Sequence, residues 1–467
     1  MVETVSMNVE EEIKELREKN KALELLVQAQ ADMIDKLRAE LDSRDSTTSH
    51  SPPSQDGPKQ RAKRKKRKRK PSGKKRGGQP GHDPHSRTMA PPEDIDETVY
   101  CAPSACSCCG KTFSSTPFRT RVHQVWEVPK PTPHITEYIL QDFACECGAK
   151  TLAALPKGIS KSNFGPRIHA VCASLRSDAR LSVAKTREAM EELFGISMST
   201  GAISNIDKRV SAALAEDHDT LHEHVKSAPV LHLDETTWYL AGERRVLWCA
   251  VSKDATFIFA RPKRNTLTAK ELAGDDFAGI AVTDRYCAYH WIDNSRRQVC
   301  WAHLRRDFVA MKIQRGMMGK CGKLLEAEAR QILKRYKQVR EGKEERGDFE
   351  VWARGRKEYV RSLLKQAANA RLPVKHAGVA RETLKYFEYL WTFAEHEGVE
   401  PTNNTAERAL RHPVISRKLS FGSQSERGLR FIERLLSVRA TLRQQGRSFL
   451  DFLHARLTHQ HIDLLPA

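Results

Sequence analysis

Two short apolar runs, each ending on an aspartate, constrain this chain more than any other feature. Residues 230–238 read VLHLDETTW and residues 279–284 read GIAVTD. Alternating apolar side chains over such a length mark a buried β-strand, and the end of a buried strand is an uncommon place for a carboxylate. A third acid, Glu407, lies in TNNTAERALR (402–411), which reads as a helix start. If the fold gathers Asp234, Asp284 and Glu407, the three carboxylates can hold two divalent metals. Such a pair clamps the attacking and leaving oxygens of an in-line phosphoryl displacement, and hard oxygen donors suit Mg²⁺ or Mn²⁺. Taken singly, each acid has another use. The aspartates could close turns on their own backbone, and Glu407 could complete a capping box behind Asn404.

The surrounding pattern predicts an α/β core. VLHLD, VLWCAVS and TFIFARP form a β-meander, a helix follows near Leu267 to Ala273, and GIAVTD is a fourth strand. That is the opening order of an RNase H-like fold, with a mixed five-stranded sheet and Asp234 and Asp284 on neighbouring central strands. A fifth strand, Gln298 to Trp301, runs into CWAHLRRDF (300–308). Within it His303 could orient a phosphate or a carboxylate, or serve as a buried structural histidine; Cys300 reads as core, and Arg306 is a basic neighbour. Glu407 lies 123 residues beyond Asp284, too far for a minimal core. The charged, helical stretch 309–398 is therefore read as an insertion that divides the core into 228–308 and 399–460. Arg408, Arg411, Arg417 and Lys418 flank Glu407, placed to hold DNA phosphates.

The N-terminal half carries binding features. Over 8–42, Ile13, Asn20, Val27, Ile34 and Leu41 recur every seventh residue, with Leu16, Leu23, Gln30 and Leu37 in the complementary register. The pattern fits a parallel two-stranded coiled coil with Asn20 as register marker, hence a homodimer or higher assembly, the alternative being a solitary amphipathic helix. A linker over 43–100 follows, reading as disordered. Its basic arm, 59–76, holds 13 Lys and Arg, including Lys63, Arg64, Lys65, Lys66, Arg67, Lys68, Arg69, Lys70 and Arg76. That is 13 of the net +20, leaving +7 for everything else. Such a run binds phosphates without sequence preference and in a salt-sensitive way. In 101–150, Cys106 and Cys109 form one knuckle and Cys145 and Cys147 another, separated by the strand-like HQVWEVP and HITEYILQDF. The arrangement resembles a zinc ribbon with structural Zn²⁺. Its second pair is CxC where CxxC is usual, so Cys101 or Cys108 could substitute. Over 160–226 the rhythm is helix, short glycine turn, helix. Phe194–Ile196 makes the corner and Ser199 or Thr200 caps the second helix, as in a DNA-reading helix-turn-helix or any helical hairpin. Eleven cysteines, unevenly clustered, argue against a disulfide framework. No apolar run approaches a membrane span, so a soluble, intracellular protein without a membrane partner is expected.

In chain order, VLHLDETTW, VTDRYCAY, CWAHLRRDF and NNTAERALR resemble the DDE transposases of the IS66 family of bacterial insertion sequences. The resemblance runs the length of the chain. RGGQPGH (76–82) matches a segment of that family, the family's zinc-binding segment coincides with the cysteine pairs, and the Cys-x-x-His spacing resembles a motif between the second and third acids of several DDE transposases. The resemblance implies an RNase H-like core with Asp234, Asp284 and Glu407 as its acidic triad. It also implies Mg-dependent cleavage and strand transfer of double-stranded DNA at element ends and target, a bacterial cytoplasmic, nucleoid-associated setting, and helper proteins from the same element. Two other classes use part of these features: a non-catalytic DNA-binding regulator, and an RNase H-like nuclease that cuts without joining.

Overall fold

The computed structural model describes residues 16, 18–30, 34, 87–113, 116–117, 119–159, 161–370 and 374–465. The basic arm from Lys63 to Arg76, the RGGQPGH segment and the heptad positions Ile13, Leu37 and Leu41 lie outside the described residues. Residues 18–30 are helical, and Leu16, Leu23, Val27 and Ile34 of the heptad stripe are exposed.

Between 87 and 159 the two expected long strands do not form a ladder. Among the described residues only β1 (Phe143–Ala144) and β2 (Lys150–Thr151) pair, as an antiparallel hairpin around the second cysteine knuckle. The reason is lack of cover: Val125, Val128, Ile135 and Ile139 are all exposed, and an isolated hairpin with no packed face is marginal in water.

The compact part begins with α1 (Pro166–Ser177), α2 (Val183–Phe194), α3 (Thr200–Ala213) and α4 (Ala215–Lys226). Gly195, at φ 65°, ends α2 in the left-handed conformation, and the Ser199 hydroxyl caps α3 by accepting from the Ala202 N–H. The corner is where the sequence puts it. These helices do not stand apart, however. Ile203, Ile206, Val210, Leu221 and Val225 share one core with Leu231, Leu233 and Phe257 of the sheet, so the expected boundary near 226 is no break in packing.

Five strands form the sheet: β3 (Val230–Leu240), β4 (Glu243–Val251), β5 (Thr256–Arg261), β6 (Ile280–Thr283) and β7 (Arg297–Val299), in the order β5-β4-β3-β6-β7. β3, β4 and β5 are antiparallel, whereas β6 and β7 add in parallel. Val246–Val251 of β4 and Phe257–Ala260 of β5 are continuously apolar because helices cover both faces. A two-residue turn joins β3 to β4, with Ala241 at φ 49° and Gly242 at φ 84°, the all-positive geometry whose twist suits a hairpin. α5 (Thr266–Ala273) carries the chain across to β6. One expectation needs correcting: β3 does not end at Asp234. It runs six residues further, because ETTWYL keeps full pairing with β4 after β6 has stopped.

After β7 come α6 (Trp301–Lys312), α7 (Gly316–Arg340), α8 (Arg346–Ala368) and α9 (Val374–Lys385), with their own core around Phe308, Leu325, Phe349 and Trp391. α10 (Asn404–Ser420) then returns to the sheet. Beyond it Ser423 exchanges backbone hydrogen bonds with Tyr239 and Ala241 at the hairpin end. Gly422 sits at φ 103°, and a Cβ there would lie 2.3 Å from the Tyr239 carbonyl oxygen, so only glycine passes.

α11 (Glu426–Gln444) closes the β5 edge, and α12 (Phe449–Leu457) follows. The outward N–H groups of Thr256, Ile258 and Ala260 donate to Thr441 Oγ1 (3.0 Å), Ser437 Oγ (2.9 Å) and Glu433 Oε1 (2.6 Å). The match is geometric: two strand residues advance about 6.7 Å and four helical residues about 6.0 Å. Ser437→Ala would leave a buried donor without its acceptor. The expected cost is about 1–3 kcal/mol of stability, read as a lower urea midpoint at unchanged slope. An unmoved midpoint would mean the edge is satisfied some other way.

Candidate active site

Asp234 projects from the middle of β3, opposite Cys249 of β4, on the face that packs against α10. β3 and β6 pair as Val230↔Ile280, Leu231↔Ala281 and His232↔Val282. Carried two residues further, that register brings Asp234 level with Asp284, the residue after β6. Side chains alternate along a strand, so in register both carboxylates leave the same face. Glu407 joins them from the first turn of α10.

Asn403 sets that turn in place. Its backbone carbonyl accepts from the Glu407 N–H (3.1 Å), and its side-chain Nδ2 donates to the Leu233 carbonyl (2.7 Å), one residue before Asp234. Its Oδ1 lies 3.3 Å from His232 Nδ1, and its own N–H donates to Cys300 Sγ at 3.1 Å. Asn403, not Asn404, is therefore the cap residue, and its side chain serves the sheet, not the helix.

Asp284 is held by its loop. Its Oδ1 accepts from the Tyr286 N–H (2.8 Å), and its carbonyl accepts from Arg297 Nη2 (2.9 Å) and Thr283 Oγ1 (2.8 Å). Arg297 is 1% exposed. Arg285 of the same loop pairs with Asp307 of α6 at 2.5 Å. A further buried carboxylate, Glu235, is gripped by Arg264 (Nε to Oε1 2.8 Å) and by the Tyr289 hydroxyl. Sequence reasoning passes over Asn403, Arg297 and the Glu235–Arg264–Tyr289 group. Asn403 and Glu235 stand beside residues already singled out, and Tyr289 lies inside VTDRYCAY.

The fields agree with the geometry. Burial first, then the charges of Glu235, Asp284 and Glu407, pushes the Asp234 carboxyl well above its usual range. Burial and Asp284 raise Glu407, while Arg306, Arg408 and Arg411 oppose that rise. Glu407 Oε1 is buried and accepts no hydrogen bond; His303 Nδ1 lies 3.7 Å from it and Arg306 Nη2 3.8 Å. Asp284 and Glu407 act on Asp234 through low dielectric, although the three carboxylates do not all lie within 4.8 Å of one another, and a divalent cation would offset that repulsion.

Other expected residues fare differently. Arg408 and Arg411 are exposed on α10 near Glu407. Arg417 is not a phosphate ligand beside that acid: nearly three turns away, it donates to Thr237 O and Thr236 Oγ1 of β3. Cys300 is buried, and burial pushes its thiol up to about 11, in keeping with a core role. Cys106 and Cys145 each sit in a tight turn, closed by Gly110 N–H to Cys106 O and Gly148 N–H to Cys145 O. Backbone N–H groups of Cys109 and Cys108 lower the Cys106 thiol, and that of Cys147 lowers Cys145. The knuckles are not gathered into one four-sulfur site. Among the described residues, the set of three or more ligand-type side chains with atoms within 4.8 Å of one another is Cys300, His303 and Glu407.

Against known proteins, the family model described as Transposase IS66 family matches residues 161–430, more than half of the chain and the whole of the sheet. The chain belongs to the IS66 transposase family. Membership gives it a transposase role, with DNA as partner and divalent metal use. A second model, a family of unknown function (DUF6444), matches residues 5–88. The IS66 chain is also similar to two uncharacterized proteins of Sinorhizobium fredii (strain NBRC 101917 / NGR234). It is 26% identical to y4hP over 400 residues, covering 75% of this chain and 70% of the relative. To y4qI it is 26% identical over 270 residues, covering 51% of this chain and 49% of the relative. Among the described residues no helix is long and apolar enough to cross a membrane.

The raised Asp234 carboxyl has a measurable consequence. The native state holds its proton more tightly than the unfolded chain does, so without divalent metal the contribution of Asp234 to stability falls as pH rises. The fall begins near the unfolded value of about 3.9 and continues towards the raised native one. Asp234→Asn should raise the metal-free thermal midpoint at neutral pH and flatten that decline. A midpoint that drops would show that the ionised Asp234 carboxyl is not penalised by its burial and acidic neighbours.

Proposed function

We propose that this IS66-family chain is a DDE-type transposase with an RNase H-like core, in which Asp234, Asp284 and Glu407 are metal ligands for DNA strand cleavage and strand transfer. The observation that carries the reading is the parallel pairing of β3 with β6 up to His232 and Val282, two residues before each aspartate, together with the charge that Asp284 and Glu407 exert on Asp234. The strand order, an antiparallel meander extended by two parallel strands, supports the RNase H-like assignment.

The donor set fits two Mg²⁺ or Mn²⁺ ions: all-oxygen ligands, a carboxyl raised by its acidic neighbours, and a buried oxygen without a hydrogen bond. When bound, the ions supply Lewis-acid activation of the attacking oxygen and neutralise the leaving one. Asp234 and Asp284 offer carboxylates from adjacent strands, fixed by the sheet. Glu407 closes the set from a helix that Asn403 ties to β3. Arg306, beside Glu407, orients that carboxylate and offers positive charge to a phosphate; Arg408 and Arg411 add to it, and His303, one turn before Arg306 on α6, faces the same Glu407 oxygen.

The remaining modules supply affinity and assembly. The basic arm binds DNA phosphates irrespective of sequence, and the coiled coil pairs two copies so that two element ends meet. Structural Zn²⁺ held by Cys106, Cys109, Cys145 and Cys147 would build the end-binding module, and the α2–α3 corner would add groove readout. Action in the bacterial cytoplasm at the nucleoid, with helper proteins of the same element, completes the proposal.

Asp234→Asn, Asp284→Asn and Glu407→Gln should each abolish strand cleavage in Mg²⁺ while leaving DNA affinity nearly intact. A variant that cleaves at near-normal rate removes its residue from the triad. Cys106→Ser with Cys109→Ser should lower zinc content and specific end binding together. Elemental analysis finding no zinc in protein purified without chelator would overturn the zinc assignment.

A further inference from the structure

Strand cleavage and transfer by the three carboxylates leave the long insertion without a task. α6 and α7 form an antiparallel pair that touches tightly at its turn, where a Cβ on Gly322 would lie 2.3 Å from the Lys312 nitrogen. At the opposite end of the pair lies a cavity of about 460 Å³. It is lined by matching helical rows: 302, 305, 306 and 309 of α6, and 333, 336, 337 and 340 of α7, each at the i, i+3, i+4, i+7 spacing of one helix face. Its third wall is the 400–404 segment that leads into α10 and Glu407.

The lining has a definite chemistry. Arg305, Arg306, Lys337 and Arg340 face it, against a single acid, Glu400. Their present pairings are weak ones. Arg340 lies 3.5 Å from Glu400, Lys337 3.3 Å from Glu341 and Arg305 3.5 Å from Glu326, and the three cation side chains are 59%, 64% and 44% exposed. Exposed pairs at such distances contribute little and exchange readily for a phosphate. Beside the cations the lining is apolar and aromatic, with Val309, Leu333, Pro401 and Tyr336. Cations along a cleft with such a lining are the composition of a single-strand site, where phosphates and bases need different surroundings. A duplex, by contrast, is read by elements entering its grooves. Arg306 belongs both to the cleft and to the neighbourhood of Glu407, so the cleft lies beside that carboxylate.

We propose that the cleft between α6 and α7 binds a single DNA strand running to or from the catalytic carboxylates. The insertion is then a strand guide whose cations hold the backbone near Arg306 while the apolar and aromatic lining receives a base or sugar. The destination of that strand rests on the catalytic role proposed for Asp234, Asp284 and Glu407; the binding itself does not.

The test uses the full chain in the Asp234→Asn background and without divalent metal, so that the probe stays intact whichever residues are catalytic. Two probes are compared by fluorescence anisotropy: a blunt duplex, and the same duplex with a short oligothymidine extension. The parent should prefer the extended probe. Lys337→Ala with Arg340→Ala should weaken the extended probe about tenfold and leave the blunt one nearly unchanged, with a salt slope shallower by about 0.7 for each phosphate that is no longer neutralised. Lys337→Arg with Arg340→Lys, which keeps the charges, should retain the preference. No preference in the parent, or equal weakening of both probes in the double alanine variant, overturns the proposal. Because the readout is binding, these outcomes are independent of whether Asp234 proves to be catalytic.

Discussion

β3 pairs with β6 from Val230 to His232 and with β4 from His232 onward, so the parallel partner is lost where the antiparallel one begins. Just past the last parallel pair, the Leu233 carbonyl takes its hydrogen bond from the Asn403 side chain. The candidate site depends on this change of partner. Had β6 continued, its backbone would occupy the space that Asp284 and its loop now use. Had nothing replaced it, a buried carbonyl would stand unpaired, at about 1–3 kcal/mol. Asn403 resolves both and at the same time locks the first turn of α10, so a single amide links the strand acid to the helix acid. Cys300, buried against the Asn403 N–H, anchors the same junction to α6.

A short mixed sheet leaves two edges, and open edges invite unwanted pairing. Both are closed here by side chains. α11 presents Glu433, Ser437 and Thr441 to β5. On the other side Gln298 of β7 bonds the Leu390 carbonyl and the Phe393 N–H, while Thr392 Oγ1 donates to the Arg297 carbonyl. The 390–393 segment comes from the insertion, so the insertion is structurally part of the sheet. Its core also includes Val282 and Val299 of β6 and β7. Removing it would uncover the strand that precedes Asp284.

What is legible in the sequence follows from period and apolarity. VLHLD, VLWCAV, TFIFA and IAVT are short apolar runs of strand length, and each is a strand. Gly195 and Ser199 mark a helix end and a helix start by their own backbone chemistry. The misreadings share one cause, which is that partners remote in sequence decide the outcome. ETTWYL reads as the end of a strand because polar residues open it, yet β4 pairs it throughout. Arg417 reads as free to hold a phosphate because its acceptors on β3 lie about 180 residues earlier. Asn403 and Asn404 are equivalent candidates for a cap until the position of Leu233 is known. HQVWEVP and HITEYILQDF have strand composition, but composition cannot supply the layer that would cover them.

Charge is divided in a way that bears on how such a molecule would work. Of the net +20, 13 sits in the arm, where a run of like charge gives affinity without orientation. Cations that must orient a strand have to stand on rigid elements, and those of the cleft stand on two packed helices. Arg306 couples the two demands, since it faces the cleft and also lies 3.8 Å from Glu407. An anion entering the cleft competes with Glu407 for that guanidinium. As Arg306 turns towards the anion, Glu407 loses part of the positive charge that offsets its burial. Its demand for a cation then rises with strand occupancy, so strand binding and metal binding at this site are expected to reinforce each other, by an amount that must be the same measured in either direction.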